Sequence, residues 1–270
     1  MNKLRRHPHL YEINTWAWLD ELSLRLSRHV DLSNVPDPEW DRLAKLGFDI
    51  IWLMGVWERS PESQREFCGD ATAFAGFQQA LPGATFDDVV GSPYSIRNYQ
   101  PDERMGGWAA LDATREKLHA RGMRLLLDFV PNHVALDHPW TVEHPEFFIQ
   151  GSAEDLARDP AAFYRVLSKD AEHIIARAKD PYFPPWRDVA QLNHFHPALR
   201  PALLQLLTGI AKHCDGFRCD MAMLVLNDIF AKTWGGLLAG RAISRLRGAA
   251  RPPALRELNH MGEGREVAQL

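Results

Sequence analysis

Short apolar runs separated by helical patterns constrain this chain more than any other feature. The run FDIIWLM (48–54) is apolar almost throughout, as in a strand covered on both faces, and MRLLLDFV (123–130) repeats that character. LYEINTW (10–16) precedes them, and DGFRCD (215–220) follows as a fourth candidate strand. Helical patterns lie between, over about 38–46 and 108–121, stopping at Gly47 and Gly122, and over 197–214. Strand and helix in alternation imply parallel strands joined by right-handed crossovers, hence an α/β fold, a barrel or an open doubly wound sheet. No glycine-rich phosphate turn follows the first strand, which leaves a dinucleotide fold with little support.

The long connections follow strands two and three, on the side where barrel enzymes build their sites. Strand three carries Asp128 inside its apolar run, with Asn132 and His133 just beyond Pro131. In strand four, strand spacing puts Phe217 and Cys219 on one face and Gly216, Arg218 and Asp220 on the other. A lone buried arginine or aspartate costs several kcal/mol, so this pair is either a structural ion pair or the floor of an active site. Convergence favours the site, because adjacent parallel strands deliver Arg, Asp, Asn and His to one end of the sheet. His194 and His196 form an HxH pair that leaves a metal-dependent hydrolase open as an alternative.

Composition narrows the partners. A formal charge of −4 lacks the basic excess of a nucleic-acid binder, and no stretch approaches the length of a membrane span. The N-terminal segment shows no apolar h-region, so no signal peptide is expected. The three cysteines, Cys68, Cys214 and Cys219, have no CxxC spacing, which fits reduced thiols in a cytoplasmic protein. Nine tryptophans suit a core or a sugar-binding cleft equally well.

DFVPNH (128–133) resembles the strand-three motif of the α-amylase superfamily (glycoside hydrolase family 13), and GFRCD (216–220) resembles its strand-four motif GxRxD. GSPYSIRNYQPDERMGG (91–107), RDVAQLNHFHPALRPAL (187–203) and YEINTWAWL (11–19) resemble further family segments, in the family's order. The resemblance covers about residues 10–234 and implies a (β/α)8 TIM-type barrel with a long insertion after strand three, at about 134–196. It further implies a retaining hydrolase or transglycosylase acting on α-glucosides or α-glucans. Asp220 would be the nucleophile that forms a glycosyl–enzyme intermediate, and Arg218 would hold it ionised and oriented. His133 would bind the sugar at the reaction centre, Tyr94 would stack on the same ring, and Asp128 would support the site. A carbohydrate is the implied partner, with no nucleic acid and no membrane; the oligomeric state is not implied.

Several positions depart from the family pattern. Ser95 and Asn98 stand where many members carry aspartates, and Leu224 stands where His or Asn is common. No cofactor is implied; calcium occurs in the family, but this sequence does not support a site for it. The family's general-acid glutamate follows strand five, and no apolar run ending in glutamate occurs after Asp220. Glu257, Glu263 and Glu266 lie in a Gly-, Ala-, Arg- and Pro-rich tail and are poor candidates for the acid. The expectation is a barrel truncated after about strand four and its helix, with 235–270 disordered or frame-shifted. The alternative function is an inactive remnant that at most binds carbohydrate or a partner chain.

Overall fold

In the computed structural model, which describes residues 4–169 and 171–246, the four expected strands form one parallel sheet. Strand β1 (Leu10–Asn14) runs straight into helix α1 (Thr15–Leu26), and α2 (Asp37–Lys45) leads to β2 (Ile50–Met54). After β2 come β3 (Trp57–Arg59), α3 (Pro61–Cys68), α4 (Ala71–Ala80) and β4 (Ile96–Pro101). Helix α5 (Gly107–Ala120) then feeds β5 (Arg124–Phe129). The larger excursion after β5 holds β6 (His133–Ala135), α6 (Trp140–Glu143), α7 (Ala153–Arg158), β7 (Phe163–Leu167), β8 (Glu172–Ala176) and β9 (Val189–Gln191). Helix α8 (Leu199–Ile210), β10 (Gly216–Cys219) and α9 (Asn227–Leu246) follow.

The sheet order is β1-β2-β5-β10, all parallel. Register sorts the side chains. Trp52 pairs with Leu126, and Arg218 pairs with Asp128, so these residues share one face. The opposite face presents Ile51, Leu53, Leu125, Leu127 and Phe129 to the helices, with Phe217 and Cys219 packed against the same core. The apolar cluster on the first face is small, with Ile50, Trp52 and Leu126 as its buried members. The described residues therefore form a four-stranded arc rather than a closed eight-stranded barrel, and neither β1 nor β10 has a strand beyond it within them.

Two readings of the sequence need correction. LYEINTW is not strand to its end: the backbone turns helical at Thr15, where Leu19 and Leu22 begin the buried stripe of α1. Helix α9 passes through Gly235 and Gly236 to Leu246, so 235–246 is helical rather than disordered. Its Phe230 and Trp234 pack with Ile149, Phe163 and Ala176, anchoring the helix to the β7–β8 excursion. Residues 247–270, with Glu257, Glu263 and Glu266, lie outside the described residues. Within the described residues no helix is long and apolar enough to cross a membrane.

At the end of the sheet where β5 and β10 begin, Asp215 ties the layers together. Its carboxylate accepts from Arg115 Nη2 at 2.7 Å and from the Leu125 N–H at 2.8 Å, and it pairs with His119 Nε2 at 2.8 Å. Burial pushes its pKa up, but these donors outweigh burial and hold it below the usual carboxylate range. Asp215→Ala leaves the Leu125 N–H and His119 without this partner and Arg115 with only the Lys212 carbonyl, so we expect a loss of about 2–3 kcal/mol in urea unfolding.

Candidate active site

The site is built where β2, β5 and β10 end. Asp128 is fully buried, and both its oxygens are engaged: Trp52 Nε1 donates to Oδ1 at 3.1 Å, and the Gly55 N–H donates to Oδ2 at 3.0 Å. Trp57 Nε1 donates to the Asp128 carbonyl at 2.8 Å, pinning the same strand end from β3. Arg218, next to Asp128 in register, has its Nη1 3.8 Å from Oδ1 and donates to Oδ1 of Asp220. The guanidinium lies between aromatic rings, 4.7 Å from the Trp52 centroid and 5.2 Å from that of Tyr94. Rings and carboxylates fix the fork in position, which a flexible lysine would not reproduce.

Asp220 is buried just beyond β10, and its N–H donates to the Phe129 carbonyl at 2.8 Å. The next residue, Met221, has a left-handed backbone with φ 51°, a conformation costing a non-glycine residue roughly 1–2 kcal/mol. That turn takes the chain out of the sheet directly after the carboxylate. Gly55, which holds Asp128, has φ +78°, and a Cβ there would lie 2.7 Å from Arg59 Nη2 and 3.1 Å from Pro93 Cβ. Gly55→Ala is expected to cost about 1–3 kcal/mol and to lower the thermal midpoint.

Burial shapes the protonation states. It pushes the Asp128 carboxyl up to about 6; the Gly55 and Trp52 donors and Arg218 pull the other way, and the Asp220 charge adds to the rise. A carboxyl near 6 looks like a general acid, but neither oxygen of Asp128 is free to approach a substrate, and geometry outranks pKa. Burial also raises the pKa of Asp220, against the lowering pull of Arg218. Arg218, expected from the sequence to hold Asp220 ionised and oriented, lowers its pKa less than burial raises it.

His133 is buried beside Trp186, ring to ring at 5.3 Å, and Asn132 Nδ2 donates to its Nδ1 at 3.2 Å. Burial depresses its pKa to about 3, opposed by a hydrogen bond with the Tyr94 backbone, so the ring is neutral at pH 7. The structure thus gathers Asp128, Arg218, Asp220 and Tyr94 into one cluster and links His133 to it through Tyr94. Trp52, Gly55, Trp57 and Trp186 were missed in the sequence. For Trp52 the signal was an indole inside an apolar strand, which in sequence reads as ordinary core.

The residues of the HxH pair have separate structural duties. His194 Nε2 donates to the Pro131 carbonyl at 2.8 Å and its ring meets Phe230, whereas His196 packs on Phe147. Among the described residues no three His, Cys, Asp or Glu side chains are grouped to hold a metal. Asn132 Oδ1 accepts from Gln191 Nε2 at 3.1 Å, so that amide is used internally too.

A family model described as "Alpha amylase, catalytic domain" matches residues 37–234, most of the chain. The chain belongs to the α-amylase family. It is 28% identical over 195 residues to an oligo-1,6-glucosidase of Halalkalibacterium halodurans, covering 67% of this chain and 29% of that protein. It is 34% identical over 188 residues to the α-amylase MalA of Haloarcula japonica, covering 69% of this chain and 22% of that one. The chain thus spans less than a third of the length of these relatives. The crystal structure of an α-amylase from Lactobacillus plantarum superposes with a TM-score of 0.54 at 23% identity, over 86% of this chain and 42% of that one. That likeness shows the fold: the four-stranded arc is part of an α-amylase-family α/β barrel.

Proposed function

We propose that the site belongs to a retaining glycosidase or transglycosylase acting on α-glucosides or α-glucans, with Asp220 as nucleophile. The observation that carries this reading is the Asp220 carboxylate at the mouth of the sheet, paired with an Arg218 clamped between Trp52 and Tyr94. Asp220 attacks the anomeric carbon as the glycosidic bond breaks, forming a glycosyl ester that water or an acceptor sugar then resolves. Arg218 stabilises the carboxylate when it attacks and when it leaves. Tyr94 and the neutral His133 shape the sugar subsite, and Asp128 holds Arg218 and Trp52 in place.

A second reading, carbohydrate binding without turnover, is favoured by one observation. Among the described residues, the other buried carboxylate in the cluster is Asp128, whose oxygens are committed to Trp52 and Gly55, while Glu12, whose charge also acts on Tyr94, is exposed on β1. Protonation of the leaving group, worth about 10²–10⁴-fold, then has no source among the buried carboxyls of that cluster. An activated glucoside separates the two readings, because its leaving group needs no acid. Incubation with 2,4-dinitrophenyl α-glucoside should release the phenol, and a fluorinated α-glucosyl fluoride should add one sugar mass to the peptide holding Asp220. No release and no mass shift would leave only the binding reading.

A further inference from the structure

On the β8–β9 connection, the sequence DPYFPPW (180–186) puts two aromatic side chains into solvent: Tyr182 is 74% exposed and Phe183 69%. Scattered exposed apolar residues need no explanation, but two neighbouring rings on a stiffened loop do. Asp180 Oδ1 accepts from the N–H groups of Tyr182 at 2.6 Å and Phe183 at 2.9 Å, closing a tight turn beneath both rings. Pro181, Pro184 and Pro185 restrict the backbone around them. The base of the loop is tied down by the Trp186 N–H to the Ala178 carbonyl at 2.8 Å and by an Arg187–Asp70 ion pair. From α9, Lys232 Nζ donates to the Tyr182 hydroxyl at 3.2 Å and sits 4.5 Å from its ring centre. Rings presented this way lose little conformational entropy on binding.

The same loop reaches the site. Trp186 meets His133 ring to ring at 5.3 Å and lies three positions after Phe183, a span of at most about 10 Å. We infer that Tyr182 and Phe183 form an outer sugar-binding platform, which takes up the far end of an α-glucan whose near end lies by His133. The inference rests on the proposed function and deepens it: the substrate is an oligosaccharide of several glucose units rather than a disaccharide. Aromatic faces suit this ligand, because a pyranose ring presents an apolar face of C–H groups and hydroxyls at its rim, and Lys232 adds a donor beside Tyr182.

Calorimetric titration with maltose and maltohexaose tests this, in an Asp220→Asn background so that the sugar is not consumed. With the platform intact, maltohexaose should bind roughly tenfold more tightly than maltose. Y182A/F183A should bring maltohexaose down to the maltose affinity and leave maltose unchanged, and Y182W should restore part of the difference. A chain-length preference that survives Y182A/F183A, or none in the parent, overturns the platform while maltose binding keeps the site reading alive. Failure of the parent to bind either sugar overturns both. A parent that dimerises, with Y182A/F183A monomeric and its sugar binding unaltered, would assign the rings to a protein contact and overturn the platform too.

Discussion

Asp220→Asn is expected to reduce turnover of an activated α-glucoside by about a thousandfold or more, because a carboxamide cannot form the glycosyl ester. The substitution is close to isosteric, so the surroundings made by Tyr94 and His133 should persist and KM should change little. Stability separates loss of chemistry from loss of fold. Burial already disfavours the ionised Asp220, which raises its pKa, so a neutral side chain relieves that penalty. Arg218 loses its partner but keeps Asp128 at 3.8 Å and the flanking rings of Trp52 and Tyr94. The net change in unfolding free energy should be within about 1 kcal/mol. Turnover retained in the variant would remove Asp220 from the mechanism; a collapsed urea midpoint would instead make Arg218–Asp220 a structural pair.

Acidification from pH 7 to pH 5 is expected to destabilise the fold by about 4 kcal/mol, visible as a drop in the urea midpoint. His133 and His138 are buried with pKa values depressed to about 3, and His194 to about 4, from an unfolded value of 6.5. Between those limits the unfolded chain takes up protons that the folded chain refuses. The stability these rings contribute is therefore complete above pH 6.5 and is lost as pH falls towards their folded values. Asp128 works the other way: raised from 3.8 to about 6, it favours the folded state below 3.8 and loses that contribution as pH rises through about 6. Asp188 and Asp220 are raised by burial in the same direction as Asp128. On acidification the three histidines act from pH 6.5 downwards, and Asp128, titrating near 6 in the folded state, offsets only part of their loss. An unchanged midpoint between pH 7 and 5 would show that these rings gain access to water in the folded protein.

Much of the frame was legible in the chain because it depends on local pattern. Continuous apolar runs mark strands covered by helices, and alternation in GFRC assigns Phe217 and Cys219 to the helix layer and Arg218 to the opposite face. The motif residues Asp128, His133, Arg218 and Asp220 stood at strand ends for the same reason. The starting point of α1 was not legible, since Thr15 and Trp16 continue a strand-like composition, and only burial of Leu19 and Leu22 selects the helix. The docking of α9 was not legible either, because the residues that receive Phe230 and Trp234 lie 54–85 positions earlier in the chain, at Ile149, Phe163 and Ala176.

By itself, then, the sequence determined the four strands of the main sheet, the helices between them, their parallel sense and the motif residues at the strand ends, because period and crossover handedness are local properties. Tertiary structure alone decided what those residues are to one another. It brought Trp52 and Gly55 onto Asp128 from 76 and 73 positions away, so that both oxygens of a carboxyl near 6 are occupied by donors. It also set the balance at Asp220 in favour of burial over Arg218, since desolvation is the sum of everything packed around a group, and no stretch of sequence contains that sum.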